Sequence, residues 1–152
     1  MKLKIIILLI FIFPSCGFKA VNQNYLNEYL IQTNITGDKR ISYLLRNELR
    51  IGNEKASRSI KLNIETKKNK IIKEKNIKNE IKKYEITISA QVNFYSIEDN
   101  KSGEISISNS GIYQASNNYN ERLNSEKKLI NNLVKDISEK IVKDLALRLD
   151  EL

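Results

Sequence analysis

Six apolar residues at successive alternate positions mark the clearest strand of the chain, and they constrain the fold more than any other feature. Polar side chains and Tyr95 fill the positions between and after them. The apolar set is Tyr84, Ile86, Ile88, Ala90, Val92 and Phe94. Strict alternation over this length predicts a β-strand with one buried and one solvated face. Such a strand needs a second layer of structure to cover its apolar face.

Two stretches with helical spacing can supply that cover. The first follows Asp38, whose carboxylate is suited to cap a helix. Its apolar positions are Ile41, Leu44, Leu45 and Leu49. The second closes the chain, with Ser125 and Glu126 in its expected first turn, and it is amphipathic. Its apolar positions are Ile130, Leu133, Val134, Ile137, Ile141, Leu145 and Leu149.

Three further strands complete the expected sheet. Residues 28–36 form the first, ended by Gly37, and residues 60–64 alternate in the second. The last strand follows a polar turn at residues 98–103 and runs from Ile105 through Tyr113 towards Tyr119. The pattern predicts an α+β fold, a two-layer sandwich with a four-stranded, mostly antiparallel sheet and two helices on one face. The order is β-α-β-β-β-α, in a single domain over residues 28–152.

The first sixteen residues have the order of an export signal. Lys2 and Lys4 precede a nine-residue apolar run, and Cys16 follows it. That run is too short to span a bilayer, which takes about 20 residues. We expect residues 1–15 to be a cleaved lipoprotein signal peptide, Cys16 to carry the lipid, and residues 16–27 to be a tether. The alternative is an ordinary signal in which the cysteine is incidental.

Almost all of the net charge lies in one segment. The chain carries a formal charge of +8, and residues 67–83 hold eight Lys and two Glu. We predict an anion-binding tip between two strands, suited to phosphate or acidic head groups. The alternative is a solvated hairpin end in a lysine-rich protein. The candidate contact residues are Lys67, Lys68, Lys70, Lys73, Lys75, Lys78, Lys82 and Lys83.

Several classes of function are disfavoured. The chain has no His and a single Cys. These absences exclude Cys-His catalysis and His-ligated metal sites. No nucleophile elbow or Gly-rich phosphate loop is present, and we expect the adjacent acids Glu98 and Asp99 to be solvated in their turn. We therefore predict no enzyme activity, no cofactor and no metal. Nucleic acid is also a poor partner, because export is expected and no stacking platform is evident.

Three stretches together carry a family resemblance. They are Cys16-Gly17-Phe18 with its polar tether, residues 43–49 (YLLRNEL), and the closing segment from Ser110-Gly111 through Tyr119-Asn120 into residues 133–147. They resemble the LPS-assembly lipoproteins (LptE), whose element order is also the one inferred here. The chain departs from that family in its closing helix, where Lys, Asn and Ile replace an often Ala-rich texture.

The resemblance implies a role and a location. Such proteins sit inside a large outer-membrane β-barrel, help to assemble it, and assist it in placing lipopolysaccharide in the outer leaflet. It implies outer-membrane localisation through the lipid anchor, facing the periplasm or within the barrel lumen. Gly17 agrees, because Asp at that place favours inner-membrane retention in the lipoprotein pathway. The alternative function is an outer-membrane lipoprotein that binds peptidoglycan or regulates a cell-wall synthase.

Overall fold

The computed structural model describes residues 23–49 and 52–150. A short 3-10 helix, Gln23–Glu28, leads into the sheet. The other elements, in chain order, are β1 (Tyr29–Gly37), α1 (Lys39–Glu48), β2 (Arg58–Lys75), β3 (Ile81–Ser96), β4 (Lys101–Gln114) and α2 (Tyr119–Asp150). The expected signal peptide 1–15, the lipid site Cys16, Gly17 and Phe18 lie outside the described residues.

The four strands form one sheet in the order β1-β2-β3-β4. β1 pairs with β2 in parallel, and the two following pairs are antiparallel. A parallel neighbour requires a crossover connection, and α1 supplies it between β1 and β2. The predicted fold class, with its order of elements, is therefore confirmed.

The core lies between the sheet and the two helices. Ile60, Leu62 and Ile64 of β2 are each at most 1% exposed, while the intervening residues of that strand face solvent. The predicted alternate face of β3 is buried in the same way, apart from the half-buried Tyr84. The helices contribute their apolar stripes to this layer, with Ile41 and Leu45 from α1 and Ile137 from α2.

The junction between β1 and α1 follows from two residues. Gly37 has φ +101°, and a Cβ there would stand 2.0 Å from the Thr66 carbonyl oxygen, so a side chain is excluded. Asp38 then caps the helix, as predicted. Its carboxylate accepts hydrogen bonds from the backbone N–H groups of Arg40 (3.1 Å) and Ile41 (3.0 Å).

Two predicted boundaries were wrong. The last strand ends at Gln114 and does not continue to Tyr119. α2 begins at Tyr119 rather than near Ser125, and Asn118 accepts hydrogen bonds from the N–H groups of Asn120 and Glu121. The side chains of residues 119–121, at the start of this helix, are exposed. They therefore lack the apolar periodicity on which the prediction rested.

The folded domain also starts earlier than predicted. Leu26 is only 2% exposed and belongs to the core, although residues 16–27 were expected to form a tether. The part of that range before residue 23 lies outside the described residues. Among the helices that are described, none has the length and apolar character needed to cross a bilayer.

Candidate functional site

The lysine-rich segment is strand for most of its length, which corrects the prediction that it lies between two strands. β2 continues to Lys75 and β3 begins at Ile81, so only residues 76–80 form the turn. Beyond Thr66, β2 has no partner in β1. Its side chains there are mostly exposed, and the apolar alternation that would have revealed the strand is lost.

A network of side-chain hydrogen bonds orders the turn. We call the turn together with Lys75 the tip (residues 75–80). The Asn76 carboxamide oxygen accepts from the N–H groups of Lys78 (3.0 Å) and Glu80 (2.9 Å). Asn79 takes a positive φ of 62°, a conformation that Asn tolerates better than most residues. The tip is therefore a defined turn rather than a loose loop.

The structure divides the eight candidate lysines into two groups. Six have a carboxylate within 4.0 Å, namely Lys67, Lys68, Lys70, Lys73, Lys82 and Lys83. Lys75 instead donates to the Asn79 side chain at 3.0 Å. In the described part of the chain, no carboxylate forms an ion pair with Lys75 or Lys78. The uncompensated positive charge of the segment is thus concentrated at the tip.

The tip also presents apolar surface. Ile77 is fully exposed, at 103% of its reference area, between Lys75 and Lys78. Ile71 and Ile72, which precede the tip in β2, are about half exposed, at 48% and 46%. An isolated exposed Ile is common on protein surfaces. One flanked by two lysines that form no ion pair with a described residue suits a ligand with both charged and apolar parts.

The extended hairpin is braced by a group that we call the Lys70 cluster (Lys70, Tyr84, Tyr113 and Glu126). The Lys70 ammonium lies 2.6 Å from the Glu126 carboxylate and 4.5 Å from the centre of the Tyr84 ring. Tyr113 donates to the same carboxylate at 2.8 Å and stacks on Tyr84, with ring centres 5.4 Å apart. The cluster links β2, β3 and β4 to the first turns of α2.

The protonation states of the Lys70 cluster follow from these contacts. Partial burial alone would raise the pKa of Glu126, but the hydrogen bonds from Lys70 and Tyr113 hold it below its usual range. Burial would likewise lower the pKa of Lys70, yet its contacts with Glu126 and Tyr113 raise it above the ordinary value. Burial raises the pKa of Tyr113. All three groups keep their usual neutral-pH forms, so the cluster is a fixed ion pair.

The sequence identified Lys70 but missed its partners. Glu126 was placed only in the first turn of a helix, and Tyr84 and Tyr113 were placed only in strands. Their convergence depends on the register that sets Tyr84 opposite both Ile72 and Tyr113. The sequence signal for this cluster was limited to Tyr84, the first residue of the alternating apolar set.

The acids Glu98 and Asp99 were expected to be solvated in their turn. Glu98 is exposed, as expected, whereas Asp99 is partly buried, and both accept hydrogen bonds. Glu98 accepts from the Ser59 N–H at 3.0 Å and from its hydroxyl at 3.1 Å. Asp99 accepts from the Ser96 hydroxyl at 2.8 Å, and this bond, the largest influence, lowers the pKa of its carboxyl. The bonds from Ser59 tie the β3–β4 turn to β2, and the bond from Ser96 holds the turn to the end of β3. Among the described residues, no group of His, Cys, Asp and Glu is arranged to hold a metal.

The tip lies at the far end of the molecule from the point where the chain enters the sheet. Tyr29 pairs with Arg58, the first residue of β2, whereas the tip begins at Lys75, the last residue of that strand. At about 3.3 Å per residue, the length of β2 separates these points by roughly 55 Å. A tether before residue 23 would therefore hold the molecule by the end opposite its basic tip.

Comparison with known proteins identifies the fold. No family model matches the sequence, and no curated protein matches it. A putative lipoprotein from Caulobacter crescentus is similar in structure, with a TM-score of 0.59 and 16% identity over 85% of this chain and 95% of that one. The rare lipoprotein B of Shewanella oneidensis gives a TM-score of 0.58 and 12% identity, over 76% of this chain and 93% of that one. This chain therefore has the fold of several bacterial proteins described as lipoproteins.

Proposed function

We propose that this chain is a lipid-anchored outer-membrane lipoprotein that plugs and helps assemble the lipopolysaccharide-translocating β-barrel. In this proposal the tip contacts lipopolysaccharide as it is inserted at the cell surface. The observation that carries the proposal is the position of the basic tip at the end of the sheet opposite the chain's entry.

The dimensions support this arrangement. A lipid on Cys16 would hold the entry end at the periplasmic leaflet, while the tip projects roughly 55 Å away along β2. The hydrocarbon layer of a bilayer is only about 30 Å thick. A domain standing upright inside a barrel would thus reach the outer leaflet with its tip, where lipopolysaccharide is placed.

The face of the sheet that no described helix covers supports a position inside a barrel. Several of its cross-strand rows carry amide and hydroxyl side chains, as in the row formed by Asn69, Thr87 and Ser110. The lumen of a large outer-membrane barrel is polar. A sheet face of this composition can lie against such a wall through hydrogen bonds and bridging water without the desolvation of a large apolar surface.

The tip matches the chemistry of a phosphorylated, acylated lipid. Lys75 and Lys78 carry charges without an ion-pair partner among the described residues, which suits phosphate groups. Ile77 between them can contact acyl chains. Because the other six lysines are already paired with carboxylates, we expect them to contribute less to binding.

Affinity purification tests the role in the translocon. The C-terminally tagged protein is extracted from outer membranes in detergent, and the co-purifying proteins are identified by mass spectrometry. We expect a stoichiometric large β-barrel of the lipopolysaccharide-transport type, and its loss when Cys16→Ser removes the lipid site. Recovery of cell-wall enzymes or peptidoglycan instead would reject the plug and favour the alternative, a cell-wall lipoprotein.

Lipopolysaccharide binding by the full-length protein in uncharged detergent tests the tip. Removing two charges near an anionic surface costs about 2 kcal/mol, or roughly 30-fold in affinity. We expect that loss for K75Q/K78Q. The matched control is K127Q/K128Q, which removes two exposed lysines of α2 and should change the affinity less than about twofold. Equal losses in both variants would mean that only the overall charge matters.

A further inference from the structure

One edge of β2 has no neighbouring strand among the described residues. β1 accompanies β2 only as far as the pair Gly37–Thr66. The chain turns away there, and the Asp38 N–H donates to the Thr66 carbonyl at 3.1 Å. From Lys67 to Lys75, β3 is the only described strand that pairs with β2. The sheet therefore has a step, with a place for another strand along the line of β1.

The register shows which backbone groups face this edge. Successive residues of a strand point their N–H and C=O groups alternately to the two sides. Because the Thr66 carbonyl faces β1, the residues that face the open edge beyond it are Lys68, Lys70 and Ile72. The regular register with β3 breaks after Ile72, so these three residues define the docking edge (residues 67–72).

We propose that the docking edge binds an extended acidic segment of a partner protein, which adds to the sheet as a fifth strand. Addition of a strand satisfies the exposed backbone groups, and side chains on alternate positions supply specificity. This proposal goes beyond the function proposed above, because it requires neither lipopolysaccharide nor a barrel.

Charge selects the partner. Residues 67–75 contain five Lys and one Glu. A second copy of this chain would place the same lysine-rich run opposite itself, and like charges directly opposite each other destabilise a strand pair. Four of these lysines, Lys67, Lys68, Lys70 and Lys73, already lie within 4.0 Å of a carboxylate of this chain. The pairs of Lys67 and Lys73 leave those side chains 72% and 48% exposed, and such exposed pairs are weak enough to exchange partners. The lysines that discourage self-pairing therefore favour an added strand that carries carboxylates.

The outer edge of β4 also lacks a partner strand among the described residues. It differs from the docking edge in charge. Residues 101–114 contain one Lys and one Glu, and they carry no net charge. The docking edge therefore offers an acidic segment more lysines to pair with than the edge of β4 does. The half-exposed Ile71 and Ile72, on opposite faces of the sheet, provide apolar contacts for alternate side chains of the added strand.

The docking edge is also held in place before any partner binds. The Lys70 cluster fixes the middle residue of the edge to the first turns of α2, and Lys68 lies 3.7 Å from the Asp38 carboxylate. A strand that is already ordered loses less conformational entropy when a second strand pairs with it.

A pair of proline variants tests the edge in the full-length protein. The probe is a capped seven-residue peptide of alternating Glu and Val, with a Lys–Val peptide as the charge-reversed control. Ile72→Pro removes an edge-facing N–H without removing a bond to β3, a position that sheets tolerate. Its match is Ile112→Pro on β4. Ile112 is similarly exposed, and because the Ala115 N–H donates towards β3, the alternation points Ile112 to the outer edge.

We expect the Glu–Val peptide to bind the natural protein more tightly than the Lys–Val peptide, with the difference shrinking as salt is added. Ile72→Pro should weaken binding roughly tenfold, because one hydrogen bond is lost and the ring blocks the approach of the strand. Ile112→Pro should change binding less than about twofold. Equal binding of the two peptides, or an equal loss in the two variants, would overturn the proposal.

Hydrogen exchange gives a test that needs no substitution. Saturating Glu–Val peptide should slow exchange of the Lys68, Lys70 and Ile72 amides in the natural protein, because those N–H groups become bonded. The Ile112 amide should be unchanged. Protection along β4 instead, or at neither edge, would refute strand addition at the docking edge even if the proline variants failed to fold.

Discussion

The two ends of the β2–β3 hairpin use the same strands in different ways. At the end near residues 60–66 and 90–96, alternate side chains are buried under the helices. At the other end, residues 67–83 carry lysines and mostly exposed side chains, yet they keep the same antiparallel pairing for most of their length. Strand structure therefore does not depend on a covered face at the distal end. Backbone pairing, the Lys70 cluster and an ordered turn maintain it.

The largest expected effect distinguishes the two ends through burial. Ile64 is 1% exposed and lies in the core, whereas Ile71 is 48% exposed. We expect Ile64→Ala to lower the free energy of unfolding by about 3 kcal/mol, because it removes buried methyl groups and leaves a cavity. Ile71→Ala should change it by less than about 0.5 kcal/mol. Urea unfolding of both variants measures the difference, and similar losses would show that the distal end is packed like the core.

The Lys70 cluster should account for the next largest effect. Glu126→Gln replaces a charge-assisted bond to Lys70 with a weaker neutral one. We expect it to reduce the free energy of unfolding by about 1 kcal/mol, an amount already reduced for partial solvent exposure of the pair. Glu139→Gln is the control, because its partner Lys135 lies 4.0 Å away and both side chains are well exposed. If the two variants unfolded at the same urea concentration, the cluster would not stabilise the distal end.

The same cluster predicts how this contribution depends on pH. Because the pKa of Glu126 is lowered in the folded protein, its contribution is present above the unfolded value of about 4.3 and is lost as the pH falls through the folded value. The pKa of Lys70 is raised, so its contribution is present below about 10.4 and is lost at higher pH. The stability difference between the natural protein and Glu126→Gln should be constant between about pH 6 and 9 and should shrink at pH 3. A difference that persists in acid would contradict an ion pair.

The smallest expected effect on stability is at the tip. Ile77 is fully exposed, so Ile77→Ser removes no buried surface and should change the free energy of unfolding by less than about 0.5 kcal/mol. Lipopolysaccharide binding should nevertheless weaken, because the apolar contact between Lys75 and Lys78 is lost. An unchanged affinity in a folded variant would limit the tip's role to charge.

Most of the fold was predictable because its signals are local. Alternation at residues 84–94 identified β3 and its buried face, and Asp38 identified the start of α1. The distal half of β2 was missed because no apolar helix face packs on it and β1 does not extend beside it. Its side chains therefore have no reason to alternate. The early start of α2 was missed for a related reason, since the side chains of residues 119–121 are exposed.

The sequence alone determined the elements, the face that each one buries, and the concentration of positive charge in one segment. Those properties depend on side chains a few residues apart. Only the tertiary structure decided which lysines are neutralised, because Glu85 and Glu126 reach their partners through strand register and helix packing. It also placed Lys75, Ile77 and Lys78 at the end opposite the chain's entry, and it left one edge of β2 open where β1 stops. Both results depend on unequal strand lengths, which pairing between distant segments sets.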